Sequence, residues 1–298
     1  MLNWRLITRI LGFLLFIEAG LMFLCQLVCW IYGEGMDDFV LPICVALLLG
    51  GLGVLLGRNA GKSMGRKDGY IIVSFIWVLF TLIGMLPFLL GNHVPDVASA
   101  FFETMSGFTS TGATIIDDVD SMPHGILFWR SLTQWIGGIG IVFFTIAILP
   151  AFGVGEVKLF AAESTGPLHD KVHPRISIAV RWIGGVYIAL TLLCVIALLM
   201  CGMPLFDAVN YSLCTTATGG YGTHSSLLGE YYHSPAIEYV LIFFMFVSGI
   251  NYTLIYYTIL KGKVKKFFDN MELRTYLIIV LGASLACAVT LAVEVPGY

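Results

Sequence analysis

The sequence predicts an all-α polytopic membrane protein in which two helix–re-entrant loop–helix repeats follow two extra transmembrane helices, with seven spans in all. Three observations lead to this fold class: the composition, the lengths of the apolar segments, and a short pattern that occurs twice. Hydrophobic residues make up 58% of the 298 residues and charged residues 12%, whereas soluble domains have about 45–50% and about 25%. The charges are too few to cover a water-facing surface, and the chain is too apolar to be disordered.

Seven apolar segments are long enough to cross a bilayer, which requires roughly 20 residues of helix. Because lipid offers no hydrogen-bond partners to the backbone, each segment is expected to be helical. The segments cover residues 7–32, 39–57, 70–90, 125–150, 176–201, 236–260 and 274–295.

Basic residues alternate with the spans along the chain. The N-terminus (Arg5, Arg9) and the loops after the second, fourth and sixth spans carry Lys and Arg, and all of them fall on one side if the spans alternate. Cytoplasmic loops are enriched in Lys and Arg, so the N-terminus is predicted to be cytoplasmic. The opposite loops carry the acids Glu34, Asp37, Asp38, Asp117, Asp118, Asp120 and Glu230.

The sequence argues against catalysis and against a nucleic-acid partner. It contains neither a Gly-x-Ser-x-Gly elbow nor a His-Glu-x-x-His pair, and its net charge is −3. The seven cysteines lie mostly in apolar segments and form no disulfide framework. We therefore expect no enzyme and no cofactor in this chain.

Two intervals on the outer side, 91–124 and 202–235, are predicted to re-enter the membrane. Each opens with an apolar stretch too short to span a bilayer, 95–108 and 204–214, and continues into Thr and Gly. Backbone of this kind survives at membrane depth only where it is buried in protein or lines water. Both intervals follow a span and precede another, so the arrangement is an internal, parallel repeat.

The Thr/Gly segments align with each other residue by residue. The first reads Thr109-Ser110-Thr111-Gly112-Ala113-Thr114 and the second Thr216-Ala217-Thr218-Gly219-Gly220-Tyr221. We align Thr109, Thr111 and Gly112 with Thr216, Thr218 and Gly219.

These two loops are predicted to hold a dehydrated cation. Glycine allows successive carbonyls to turn to one side, and such carbonyls replace the water shell of an ion, while the end of a short helix adds partial negative charge. The predicted ligands are the carbonyls of Thr109–Ala113 and Thr216–Gly220, with K+ at Thr111, Gly112, Thr218 and Gly219. The alternative is a pair of glycine-rich outer turns, which the repetition of the pattern disfavours.

Three features beside the loops leave alternatives open. Arg130 either snorkels to the outer interface or pairs with Glu103 and braces the loops. Glu18, inside the first span, is either part of a functional site or, as we expect, neutral and hydrogen-bonded to a neighbouring helix. Gly137, Gly138 and Gly140 allow either close helix packing or a bend.

Four segments resemble the Trk/Ktr/HKT cation transporter family, and the two helices ahead of the first repeat resemble its bacterial TrkH type. Residues 102–114 and 215–222 are similar to the first two pore loops, and residues 134–140 and 246–254, which include Asn251, are similar to the helices that follow them. The resemblance implies K+ uptake across the bacterial inner membrane, a homodimer, and a cytoplasmic nucleotide-binding subunit of the RCK type. It makes Gly112 and Gly219 the filter glycines and Asn251 a supporting residue. The basic run 261–266 is expected to anchor the topology or to contact the headgroups of membrane lipids, and docking of the RCK-type gating ring is its alternative role.

The family has four membrane–pore–membrane repeats, and we expect this chain to contain two of them and the start of a third. The predicted units are two N-terminal helices at 1–66, the first repeat at 67–155, a cytoplasmic linker at 156–174, the second repeat at 175–262, and the first helix of a third at 263–298. A Na+-preferring transporter of the same fold and a non-conducting truncated subunit remain the alternatives. Glycine at both filter positions favours K+.

Overall fold

The structure, a computed structural model, describes residues 2–61, 66–148, 173–252, 254–255, 258 and 269–294. All regular elements in these ranges are helices, as predicted. They are α1 (Trp4–Tyr32), α2 (Asp37–Leu56), α3 (Arg66–Gly84), α4 (Leu86–Leu90), α5 (Val97–Phe108), α6 (His124–Ile148), α7 (His173–Met200), α8 (Leu205–Thr216), α9 (Leu228–Tyr232), α10 (Pro235–Ser248) and α11 (Met271–Glu294). The predicted linker at 156–174 lies almost wholly outside the described residues, and the basic run 261–266 lies entirely outside them.

Five stretches within the described ranges are long and apolar enough to cross a membrane. The five stretches are Trp4–Tyr32, Asp37–Leu56, Ile71–Leu90, Arg181–Met200 and Met271–Val293. The predicted fourth span is not one of these five; it corresponds to α6, and its residues 149–150 are not among those described.

The predicted span 236–260 is interrupted rather than continuous, which corrects the sequence-based expectation. Helix α10 ends at Ser248, and helical backbone resumes at Tyr252. The reason is a contact from α11: the Tyr276 hydroxyl donates to the carbonyl of Phe246 (3.0 Å), and the N–H of Ile250 donates to Val247 (3.1 Å). Phe246 would otherwise accept from Ile250 in a continuous α-helix.

Helices α1 and α2 pack closely through small residues. A β-carbon on Gly53 would press on the backbone of Thr8 and Gly12, and one on Gly57 would overlap Arg9. Small residues of this kind allow transmembrane helices to approach closely. The pair then packs against α6 and α3, so that the buried core lies between these helices and α5.

Helix α6 lies at the centre of the described fold and contacts α1, α5, α7 and α8. Its N-terminus is held by Glu34, whose carboxylate accepts the backbone N–H groups of His124 (2.7 Å) and Gly125 (3.1 Å). A carboxylate at this position complements the positive end of the helix dipole. Because α6 contacts both short helices, α5 and α8, it fixes where the loops after them lie.

Candidate ion site

The backbone has the same conformation at the two points where a Thr/Gly loop leaves its short helix. Helices α5 and α8 are each 12 residues long, and the residue two positions after each helix is left-handed: Ser110 with φ 53° and Thr218 with φ 54°. This residue and the next donate into the last helical turn, as in a Schellman motif. The bonds run from Ser110 to Gly107, Thr111 to Ser106, Thr218 to Thr215 and Gly219 to Cys214, at 2.9–3.0 Å.

The backbone pairs the two loops one position away from the predicted alignment. Ser110 corresponds to Thr218, and Gly112 (φ 77°) corresponds to Gly220 (φ 92°). The predicted pairing of Gly112 with Gly219 is therefore wrong. The alignment matched the Thr-Gly dipeptides of the two loops. The structurally equivalent glycines are instead the two with a positive φ angle, which only glycine adopts without steric cost.

The structure brings the two loops into direct contact. A β-carbon on Gly112 would overlap the carbonyl oxygen of Gly219, so glycine is required there by space as well as by conformation. Gly112 and Gly219 thus form the point where the loops meet. Exposed residues of both loops flank this point, and together we call them the exposed face of the pair: Thr109, Thr111, Ala113, Thr218 and Gly220.

Two predicted ligands occupy different surroundings from those expected. The Ala113 carbonyl accepts the Ser106 hydroxyl at 2.6 Å and lies 3.4 Å from the Tyr221 hydroxyl, so it is turned towards protein. Thr216 is the last residue of α8, is buried, and donates its hydroxyl to Ser212 (2.9 Å). The Thr216 carbonyl lies 3.4 Å from the Tyr252 hydroxyl, so in both cases a neighbouring side chain competes for the backbone oxygen of the predicted ligand.

Glu103 and Arg130 form a buried ion pair behind the first loop. Their side chains are 0% and 2% exposed, and Nη2 of Arg130 lies 2.9 Å from Oε1 of Glu103. The carboxylate also accepts the Thr114 hydroxyl (2.9 Å) and the Ile115 N–H (3.1 Å). The other alternative, an arginine snorkelling to the outer interface, is excluded by this burial.

The same arginine reaches the second loop. Nη1 of Arg130 donates to the Gly222 carbonyl (3.3 Å), and its guanidinium lies 4.3 Å from the centre of the Tyr221 ring. The Tyr221 hydroxyl donates to the Glu103 carbonyl at 2.8 Å. One ion pair is therefore connected to both loops.

Sequence reasoning missed Tyr221 and Gln134 as parts of the site. Gln134 is fully buried in α6, its side-chain oxygen accepts the Tyr221 N–H (3.2 Å), and its backbone carbonyl accepts the Ser110 hydroxyl (3.3 Å). An amide side chain inside an apolar span was the available signal, since polar groups there are costly.

Glu18 lies beside Gly84 of α3, and Asn251 lies beside Glu272 of α11. Glu18 is 1% exposed, and within the described residues neither carboxylate oxygen has a hydrogen-bond partner. The expected bond to a neighbouring helix is thus not formed; the neighbouring position on α3 is Gly84, which has no side chain. The Asn251 amide lies 3.3 Å from the carboxylate of Glu272 on α11.

A second polar link joins the outer segments after the two loops. Nδ1 of His224 lies 2.7 Å from Asp120, and its Nε2 lies 3.5 Å from Asp207. The backbone N–H of Ser225 also donates to Asp120 (3.0 Å). The hydrogen bonds from His224 and Ser225 hold the pKa of the Asp120 carboxyl below its ordinary value.

Side-chain chemistry for a resident metal is absent from the part of the chain that the structure describes. No group of three His, Cys, Asp or Glu residues there is arranged to hold a metal ion.

Comparison with known proteins gives a consistent result. The TrkH family profile, described as a cation transport protein, matches residues 36–295. The Trk system potassium uptake protein TrkH of Salmonella typhimurium is 38% identical over 295 residues, which is 97% of this chain and 60% of that protein. TrkG of Escherichia coli K12, another Trk system potassium uptake protein, is 34% identical over 281 residues, covering 93% of this chain and 58% of TrkG.

The structural comparison agrees with the sequence comparison. The crystal structure of the potassium transporter TrkH from Vibrio parahaemolyticus matches with a TM-score of 0.88 and 33% identity, covering 100% of this chain and 61% of that one. The chain therefore spans about 60% of the length of the curated relatives.

Proposed function

Because this chain belongs to the TrkH family of cation transport proteins, we propose that it takes up K+ across the bacterial inner membrane as the transmembrane subunit of a Trk-type system. The observation that carries the proposal is the contact of two glycine-containing loops at Gly112 and Gly219. Each follows a short helix, and their exposed face carries backbone from both repeats.

Backbone carbonyls on this face are the proposed ligands of a dehydrated K+. Such oxygens replace the hydration shell of a permeating cation. The C-terminal ends of α5 and α8 carry partial negative charge beside them, and Asp117, Asp118 and Asp120 on the following segment attract cations. The proposed ligands are the backbone carbonyls of residues 110–112 and 218–220, and Gly112 and Gly220 are the equivalent filter glycines.

The ion pair of Glu103 and Arg130 has the proposed role of bracing the site. It contacts residues after the first loop and, through Gly222, the end of the second. A buried, hydrogen-bonded charge pair fixes the positions of the residues bonded to it, because breaking the pair leaves a buried charge without a partner. We therefore propose that the pair maintains the spacing of the ligands and does not contact the ion.

The complete pathway is proposed to contain four such loops, as in the family that these loops resemble. Two loops with one open face cannot surround an ion, so two further repeats are expected to close the ring. A homodimer with a cytoplasmic nucleotide-binding regulatory subunit of the RCK type is the corresponding assembly. The re-entrant position of α5 and α8 and the cytoplasmic N-terminus belong to the same proposal.

The test is rescue of a K+-uptake-deficient bacterium at low external K+ by the full-length protein that contains this chain. We expect growth to be restored by the wild type and not by Gly112→Ala, with expression of both checked in the membrane fraction. Na+ flux into liposomes that persists without K+ would identify a Na+-preferring transporter. Absence of any flux would identify a non-conducting subunit.

A further inference from the structure

Gln134 is the residue of α6 that contacts both loops at once. Its backbone carbonyl accepts the hydroxyl of Ser110, the left-handed residue of the first loop, at 3.3 Å. Its side-chain oxygen accepts the N–H of Tyr221, which directly follows Gly220 of the second loop, at 3.2 Å. The two contacts use different atoms, so they hold both loops to one position on one helix.

The side-chain amide of Gln134 also fills the space behind the contact between the loops. A β-carbon on Gly219 would overlap this amide, and one on Gly112 would lie 3.7 Å from Nε2. Gln134 is 0% exposed. In an interior packed this closely, a change of even one methylene group is felt by the neighbours. The length of this side chain is therefore coupled to the separation of the loops.

The amide carries a cost that a hydrocarbon side chain would avoid. Nε2 has no hydrogen-bond partner among the described residues, and a buried unpaired polar group is destabilising. Packing alone does not account for glutamine here, since methionine of similar length fills space without that cost. The acceptor bond to Tyr221 is what the amide adds.

We infer that Gln134 is a positioning residue that sets the separation of the two loops and thereby the ion selectivity of the pathway. The inference rests on the proposed function, because selectivity has meaning only if ions pass between these loops. Gln134 does not contact the ion: it acts through Gly219 and Tyr221. A purely structural residue would affect the amount of folded protein but not the ratio of ions that pass.

The experiment compares K+ and Na+ fluxes through the full-length protein in liposomes. Gln134→Met keeps the length and removes the acceptor, whereas Gln134→Asn keeps the amide and shortens the chain. Ile126→Val is the control, since Ile126 is equally buried in α6 but lies two turns away from Gln134, in the hydrophobic core.

We expect Gln134→Met to lower the K+/Na+ flux ratio about fivefold, the change that corresponds to one net hydrogen bond. Gln134→Asn should also lower it, and Ile126→Val should leave it unchanged. If a variant carries too little flux, the K+-induced rise in melting temperature relative to that in Na+ replaces the ratio, because an ion bound to the folded state stabilises it.

The results separate this inference from the proposed function. Wild-type protein that selects K+, together with Gln134 variants whose ratio matches that of the wild type, would overturn the inference alone. Wild-type protein without K+-selective flux would overturn the proposed function and, with it, this inference.

Discussion

Single residues decide the shape of the two loops through their φ angles. Gly112 and Gly220 have positive φ, at 77° and 92°, where a residue with a β-carbon costs roughly 1–2 kcal/mol. Ser110 and Thr218 adopt left-handed backbone although they are not glycine, and the helix-ending hydrogen bonds offset that cost. The glycines are thus needed at positions beyond the helix ends, where such bonds are not available.

Gly112→Ala and Gly220→Ala are expected to differ in severity. Alanine at 112 has an unfavourable φ angle and also overlaps the Gly219 carbonyl, whereas alanine at 220 meets no atom within 4 Å. Gly220→Ala should therefore lower the free energy of unfolding by about 1–2 kcal/mol, and Gly112→Ala by more. Melting temperatures in detergent, with the wild type as reference, measure this. Equal losses in the two variants would contradict the assigned contact.

Arg130→Met is expected to be strongly destabilising and to disturb ion selection. It leaves the Glu103 carboxylate buried without its cation, and breaking a buried pair costs about 3–5 kcal/mol. The double variant Glu103→Gln, Arg130→Met should recover part of that loss because no lone charge remains. Thermal unfolding and K+/Na+ flux ratios of the three proteins test this. Unchanged discrimination in an active Arg130→Met protein would argue against the bracing role.

At the scale of elements, helix α6 positions both short helices through two adjacent glycines. A β-carbon on Gly137 would overlap the carbonyl of Phe108, at the end of α5, and one on Gly138 would press on Ala217, which follows α8. Helix α6 is continuous from His124 to Ile148. Of the two roles considered for the glycines, close packing is what Gly137 and Gly138 provide.

Gly137→Ala and Gly140→Ala form a matched pair for this packing. The first overlaps backbone that cannot move away, while the second makes only ordinary contact, 3.6 Å from the Trp77 ring. We expect Gly137→Ala to destabilise the protein by about 1–3 kcal/mol, as overpacking does, and Gly140→Ala to be neutral or slightly stabilising because alanine favours helix. Both are measured by thermal unfolding in the same detergent. A stable Gly137→Ala protein would show that α5 and α6 are further apart.

The link between the outer segments is expected to weaken in acid. The pKa of Asp120 is lowered first by the hydrogen bond with His224 and then by that from Ser225. A carboxyl whose pKa is lowered in the folded state stabilises the fold at pH values above its ordinary pKa of about 4. That contribution is lost as the pH falls through the lowered pKa. Amide exchange at 119–121 and 223–226, corrected for intrinsic rates, should therefore rise as the pH falls below about 4.

Two substitutions serve as comparisons for the acid effect. Asp120→Asn should remove the pH dependence. Asp96→Asn should leave it intact, since the pKa of Asp96 is lowered by the N–H of Ser99 in its own helix. The same acid response in Asp120→Asn would assign it to another group.

For the whole molecule, the contacts at the two ends match the charge pattern of the sequence. Asn3 bonds to Asp68 and Gly61 at one end, and Glu34 bonds to His124 at the other. The positive-inside rule supports the proposal that the end with Asn3 is cytoplasmic. This arrangement predicts which exposed residues a reagent outside the membrane can reach.

Cysteine labelling tests that orientation. Ser226→Cys and Asn59→Cys both place a thiol at an exposed position, at opposite ends of the fold. A membrane-impermeant maleimide should label Ser226→Cys in intact spheroplasts and Asn59→Cys only after lysis. The unsubstituted chain gives the background from its own cysteines. The reverse pattern would place the N-terminus outside.

The sequence by itself determined that the protein is helical, that most of its helices are apolar, and that two short helices run into Thr/Gly loops. These properties are local: lipid requires long apolar helices, and positive φ requires glycine. Tertiary structure decided the pairing of Arg130 with Glu103, 27 residues away, and the bond from Tyr221 to Glu103, 118 residues away. It also decided the interruption after Ser248, because the Tyr276 hydroxyl binds a backbone carbonyl that local pattern alone assigns to a helix. It decided the register of the second loop as well, because two consecutive glycines fit either register and only the folded backbone gives Gly220 the positive φ angle.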